Sequence, residues 1–152
     1  YEHKYRGFNY RMDALQGAVL DVKLKYLEAW TDARRSRAAE YWRRLIQLPV
    51  AVPHERDQSR HVYHQYVISV RDRDAWRARL NDAGVQTAVH YPVPVHLQPA
   101  YRDLGYSEGD FPVAEQAATE VLSLPMFPEL TDEQIESIAN VFRAGVLTGV
   151  RP

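Results

Sequence analysis

The chain contains no cysteine. Disulfide bracing, thiolate nucleophiles and cysteine-ligated zinc are thereby excluded, and the composition fits a reducing compartment. Long hydrophobic runs are missing too. No apolar stretch approaches the roughly 20 residues of a membrane-spanning helix. Charge of either sign is nearly balanced: 19 basic and 20 acidic side chains leave a formal net charge of -1. That balance gives no general attraction for nucleic acid or an anionic membrane. Lysine is scarce, occurring only as Lys4, Lys23 and Lys25, and none of the three has the surroundings of a desolvated catalytic amine. No nucleophile elbow, P-loop or GxGxxG run occurs, and no internal repeat or low-complexity linker is visible. No carboxylate pair stands out for acid–base work. The chain opens on Tyr1, with no initiation signal or signal-peptide pattern. The expectation is a cytoplasmic protein, of which this chain is a piece.

What is present suits a globular fold. The 152 residues are 45% hydrophobic and 26% charged, enough for one domain with a buried core. Asp13 offers a helix cap, with Gln16 three residues on. Leu15, Ala18, Val19, Val22 and Tyr26 then recur at helical spacing. Gly17 interrupts that stripe and marks a possible close backbone contact. Thr31 is a second cap, and Ala38, Tyr41, Trp42, Leu45 and Leu48 form a second stripe. The reading is two helices with a bend near residues 29–32, ending before Pro49. The arginines of "RRSRAAEYWRR" (residues 34–44) fall beside that stripe and read as a solvated face.

Further on, "HVYHQYVISV" (residues 61–70) reads as a strand, which places His64 on one face with Val62, Tyr66 and Ile68. A histidine on such a face is more often a satisfied core residue than a ligand. A short helix follows, capped by Asp72 and stopped by Gly84. "VQTAV" (residues 85–89) reads as a second strand. Pro99 and Pro112 sit where helices begin. "PVAEQAATEVL" is helical by spacing, and "SLPMFP" is a short edge strand. In "LTDEQIESIANVF", Thr131 and Gln134 form a capping box, with Leu130 and Ile135 as its hydrophobic staple. The order α-α-β-α-β-loop-α-α points to a small α/β sandwich, a few-stranded sheet covered by helices.

Two stretches carry chemistry. "HYPVPVH" (residues 90–96) follows a strand, and Pro92 and Pro94 stiffen it. It presents His90, Tyr91 and His96 to a polar ligand. The competing readings are histidines that merely satisfy backbone groups, and a metal pair. The six-residue spacing is no zinc pattern, and no carboxylate is close in sequence. The other stretch is "GFNYR". Asn9 brings an amide and Arg11 a cationic fork, just before a helix N-terminus. Such a loop can hold an anion such as phosphate. The alternative is Asn9 in a left-handed turn and Arg11 paired with a surface carboxylate.

Together, "GFNYRMDALQGAVLDVKLKYLEAW", "HVYHQYVI", "GVQTAVHYPVPVHLQPAY" and "FPVAEQAATEVLSLPMFPELTDEQI" resemble the C-terminal part of the DegT/DnrJ/EryC1/StrS family. These are pyridoxal-phosphate-dependent nucleotide-sugar aminotransferases of fold type I. The resemblance covers nearly the whole chain in the family's order. It implies a cofactor-reaching loop at residues 1–12, linking helices at 13–48 and a small α/β C-terminal domain at 49–152. The N-terminal domain, with the cofactor and its Schiff-base lysine, would lie upstream. It implies a homodimer with shared active sites, in which Asn9, with Arg11 beside it, reaches the cofactor phosphate of the other subunit. His90, Tyr91 and His96 fall on the sugar-nucleotide side. The implied reaction moves an amino group, usually from glutamate, to a keto-sugar nucleotide, with no metal. The form "HYPVPVHLQPAY" resembles members that aminate the sugar's 3-position. Two alternative readings compete with the aminotransferase: a non-catalytic dimerisation or regulatory module of the same family, and a pyridoxal-phosphate-dependent sugar dehydratase.

Overall fold

The computed structural model describes residue 8 and residues 10–147. The described elements run α1 (Ala14–Leu24), α2 (Leu27–Leu45), β1 (Tyr66–Ser69), α3 (Arg73–Asp82), two 3₁₀ turns (Val95–Leu97 and Pro99–Leu104), α4 (Pro112–Glu120), β2 (Val121–Leu124) and α5 (Asp132–Leu147). The architecture is the α/β arrangement expected: a small sheet with helices packed over it.

The two strands are antiparallel, pairing Tyr66 with Leu124, Val67 with Ser123, Ile68 with Leu122 and Ser69 with Val121. Because side chains alternate across a strand, Tyr66, Ile68, Leu122 and Leu124 share one face. All four are buried in a single cluster with Tyr41 and Leu45 of α2, Trp76 and Leu80 of α3, and Ile135, Ile138 and Phe142 of α5. The opposite face carries Val67, Ser69, Val121 and Ser123. Tyr41 stacks on Tyr66 with ring centroids 4.7 Å apart, and its hydroxyl donates to the Pro125 carbonyl at 2.9 Å. One side chain of α2 thus holds both strands. Residues 13–48 therefore share their core with the segment that follows.

Several elements differ from the expectations above, each for a visible reason. The break between the first helices falls at Lys25 and Tyr26, and α2 runs unbroken through residues 29–32. Thr31 is buried inside α2 and accepts from Arg34 at 3.1 Å, so it caps nothing. The first strand starts only at Tyr66. Upstream, the backbone bonds to side chains instead of a ladder: Arg35 donates to the His61 carbonyl, Arg34 to the Val62 carbonyl, and the His61 N–H donates to Glu55. Tyr63 has φ 44°, and His64 is exposed rather than lodged on a core face. The strand expected at residues 85–89 is a single bridge, Ala88 to Ser123. The expected edge strand begins two residues earlier, at Val121, and stops before Pro125. It is no edge, since β1 and Ala88 flank it. Asp72 stands at the N-cap of α3, but with φ 52° its side chain makes no capping bond.

The remaining caps behave as read. Asp13 accepts from the N–H groups of Leu15 and Gln16. Thr131 and Gln134 exchange both bonds of a capping box. Gly84, with φ 79°, closes α3 in the left-handed region. The arginines of α2 are not a plain solvated face. Arg35 pairs with Glu55 at 2.7 Å, Arg37 with Asp132 at 2.6 Å, and Arg44 with Glu40 and Glu136. These pairs lace α2 to the loop before β1 and to α5.

The tight backbone approach occurs at Gly145, not at Gly17. A Cβ at Gly17 would meet Met12 Sδ at 3.5 Å, an ordinary contact. A Cβ at Gly145 would lie 2.3 Å from the Trp76 ring. Trp76 is fully buried and tilts against Phe142, centroids 4.9 Å apart, so its ring has no room to retreat. Gly145→Ala should therefore destabilise the fold. Overpacking costs about 1–3 kcal/mol, against a helix-propensity gain of about 1 kcal/mol. The urea midpoint should fall; an unchanged midpoint would show that Trp76 can move aside.

Candidate active-site cleft

The loop after Ala88 folds back over α4. Between them lies a cleft of about 640 Å³, lined by His90, Tyr91, His96, Tyr101, Tyr106, Phe111 and the small faces of Ala114, Ala117 and Ala118. The alanines of α4 leave the space, and the aromatic side chains wall it. Three of the expected site residues thus meet in one place. A second groove of about 310 Å³, lined by His64, Gln65, Gln86, Thr87 and Ser123, shares His90 with the first. His90 stands where the two join.

Each histidine is held by a specific partner. His90 Nδ1 lies 2.8 Å from Ser123 Oγ on β2. The His90–Tyr91 peptide is cis, and the two rings meet edge to face at 5.3 Å. Tyr91 is exposed to 71% and free to meet a ligand. His96 is different. Its side chain is only 9% exposed, Nε2 lies 2.9 Å from Glu115 Oε1, and its ring packs on Phe111 at 4.7 Å. Nε2 is thus already engaged within the chain, and the ring is packed against the cleft wall.

Glu115 was not visible as a functional residue from the sequence. It accepts from the N–H groups of Gly109 and Phe111 as well as from His96. One carboxylate therefore ties the 3₁₀ turn at residues 95–97, the turn at 107–110 and the start of α4. The Gly109 N–H, followed by the Phe111 N–H and His96, holds its carboxyl below the ordinary value, against partial desolvation. The reach back to the N-cap N–H resembles a capping box, but Phe111 at the cap has no oxygen to complete it. The sequence signature is therefore absent. Ser123 was missed likewise, reading as one residue of a plain strand.

Asn9 lies outside the described residues. Arg11 is exposed just before α1 and does not line the cleft. Two N–H groups at the start of α1 are occupied by the Asp13 carboxylate, so this helix N-terminus is not an open anion site. Lys23 is exposed, its ammonium 5.9 Å from the Trp30 ring centroid, and Lys25 lies 4.0 Å from Asp21. Among the described residues, no group of three or more histidine, aspartate or glutamate side chains is placed to hold a metal.

The pattern of the DegT/DnrJ/EryC1/StrS aminotransferase family matches residues 1–143. The chain belongs to that family. It is 47% identical over 150 residues to the pleiotropic regulatory protein of Geobacillus stearothermophilus, covering 94% of this chain and 40% of that protein. It is 44% identical over 146 residues to the erythromycin biosynthesis sensory transduction protein EryC1 of Saccharopolyspora erythraea, covering 95% and 40%. With the UDP-N-acetyl-3-dehydro-alpha-D-glucosamine 3-aminotransferase of Acidithiobacillus ferrooxidans it shares 39% over 143 residues, covering 94% and 38%. The solved structure of S. venezuelae DesV in complex with a ketimine intermediate matches with a TM-score of 0.88 at 38% identity, over 95% of this chain and 39% of that one. The chain thus spans about two fifths of the length of these relatives.

The Glu115 clasp makes a pH prediction. A carboxylate whose folded pKa is depressed adds stability that is fully present above its ordinary value of 4.5 and is lost as pH falls through the folded value. Glu115→Gln should lower the thermal midpoint at pH 7, and the gap to the unaltered protein should close below pH 4.5. A gap that stays constant down to pH 3 would show that the carboxylate's charge holds nothing.

Proposed function

We propose that this chain is the C-terminal portion of a pyridoxal-phosphate-dependent aminotransferase. The full-length enzyme transfers an amino group from glutamate to a keto-sugar nucleotide, at a site shared between the subunits of a homodimer. The observation that carries this reading is the preformed aromatic cleft, lined by His90, Tyr91 and His96 of the loop after Ala88. Aromatic faces suit the C–H faces of a sugar ring and the plane of a base. A few convergent polar groups, His90 and the Tyr91 hydroxyl first among them, then set orientation. The likeness to a relative named for 3-amination supports the sugar's 3-position as the site of reaction. The product would serve amino-sugar synthesis for polysaccharides or antibiotics.

Pyridoxal phosphate, when bound, supplies the electron sink that lets the amino group leave one carbon for another. Support for that cofactor is family membership and the likeness to DesV. This chain's contribution to holding it would come from side chains, because Asp13 already occupies the start of α1. The exposed guanidinium of Arg11 suits a phosphate dianion, and the Asn9 amide adds two donors. The proton-transferring lysine belongs to the remainder of the protein.

The direct test supplies the full-length protein with pyridoxal phosphate, glutamate and a panel of dTDP- and UDP-linked 3-keto and 4-keto sugars. A glutamate-dependent amino sugar should appear by mass spectrometry with a 3-keto member of the panel. Absence of product across the panel would overturn the reading. The phosphate contact has its own test. Asn9→Ala should speed loss of cofactor absorbance on dialysis by roughly tenfold, the scale of one charge-assisted hydrogen bond. Unchanged retention would remove Asn9 from the site.

A further inference from the structure

Ser123 sits at the centre of β2, 6% exposed. It grips the root of the cleft loop in three ways. Its N–H donates to the Ala88 carbonyl at 2.8 Å, its carbonyl accepts from the Ala88 N–H at 3.2 Å, and its hydroxyl meets His90 Nδ1 at 2.8 Å. Ala88 and His90 are two residues apart, so both backbone bonds and the side-chain bond act on one extended step of chain. The pairing of Ser123 with Val67 places its hydroxyl on the sheet face opposite the core.

We propose that Ser123 is the positioning residue for His90: its hydroxyl donates to Nδ1, holds the ring as the Nε2–H tautomer and so presents a hydrogen-bond donor to the cleft. The assignment follows from proton accounting. A serine hydroxyl has one proton to place, and a neutral imidazole carries one N–H. Among the described residues, His90 is the sole hydrogen-bond partner of the Ser123 hydroxyl. If Nδ1 carried the proton and donated to Oγ, the hydroxyl proton would find no acceptor among the described residues, an arrangement that largely buried polar groups avoid. If the hydroxyl donates to Nδ1, both groups are satisfied. The remaining ring nitrogen, Nε2, then carries its hydrogen.

The consequence concerns what His90 can do. A ring in this state is a donor, suited to an oxygen acceptor such as a sugar carbonyl, a hydroxyl or a phosphate oxygen. It is not set up as a general base at Nε2. Held by a strand residue rather than by the loop itself, the donor has a fixed direction before any ligand arrives, which lowers the ordering cost of binding. This step rests on the reading that the cleft takes the sugar nucleotide. The tautomer itself does not.

The test therefore has two arms. In the first, long-range proton–nitrogen correlation spectra are recorded on ¹⁵N-histidine-labelled full-length protein, with His90→Gln to identify the His90 signals. The expected spectrum shows Nδ1 without a proton and Nε2 protonated, and Ser123→Ala should mix the two tautomers while Ser123→Thr keeps the original one. A protonated Nδ1 in the unaltered protein, or an unchanged tautomer in Ser123→Ala, overturns the proposal. The second arm is kinetic and uses the dTDP- or UDP-linked 3-keto sugar that the unaltered protein turns over. Ser123→Ala should reduce kcat/KM for that sugar roughly three- to tenfold, the scale of one hydrogen bond. The KM for glutamate and cofactor retention should not move, and Ser123→Thr should restore the value. A loss in His90→Ala with none in Ser123→Ala overturns the positioning role alone. No loss in either variant overturns the assignment of this cleft to the sugar nucleotide as well.

Discussion

A pair of four-residue strands does not hold itself together in water. The sheet exists because α2 and α5 cover one of its faces, and the stack of Tyr41 on Tyr66 is where that cover is fixed. The contact joins α2 to β1 through two buried aromatic faces. The Tyr41 hydroxyl then reaches past the sheet to the carbonyl that follows β2. Desolvation holds both phenols well above their ordinary titration range, so the stack stays uncharged at any physiological pH. The Tyr66 hydroxyl lies buried with no hydrogen-bond partner among the described residues. That cost is borne because the ring's area, not its oxygen, is what the core uses.

Everything at the cleft follows from the face this arrangement leaves over. With Tyr66, Ile68, Leu122 and Leu124 turned to the core, strand alternation turns Val67, Val121 and Ser123 the other way. Val121 lines the cleft and Ser123 anchors His90. A one-residue slip in the pairing would exchange the two sets. It would expose the core leucines and bury the histidine's anchor among apolar side chains. Core packing and site geometry are thus the same constraint seen from two sides of one sheet. Trp76 against Gly145 serves the same end from the far side, by seating α5 against α3.

The helices were legible because their signals are local. Asp13, Thr131 with Gln134, Pro112 and Gly84 each act within a few residues, and each acts as read. The strands were less legible because their signals are not local. Residues 61–65 have strand composition, yet Arg34, Arg35 and Glu55 claim their backbone groups from elsewhere in the chain. Only long-range structure decides that competition. The cleft loop was legible as a motif, His90, Tyr91 and His96 together, but not in its inner arrangement. Glu115 lies 19 residues from His96 and Ser123 lies 33 from His90. Neither separation has a sequence signature, so the residues that hold the site were invisible while the residues they hold were not.

α1 shows why this chain reads as part of a site. It has 11 residues and none of them is buried. Leu15, Val19 and Val22 are exposed along it, beside Tyr10 and Met12. A helix of that length is marginal in water without tertiary burial, and so much exposed apolar surface is a contact surface by composition. The shared active site proposed above would account for both facts at once. Arg11 stands just before a helix whose apolar side chains no described residue buries. The cleft is different. Its walls, its histidine anchor and its carboxylate clasp are all complete within the chain. The division follows from where burial is available: the cleft folds with its own sheet, whereas under the proposed function the contact at Arg11 would form only on assembly.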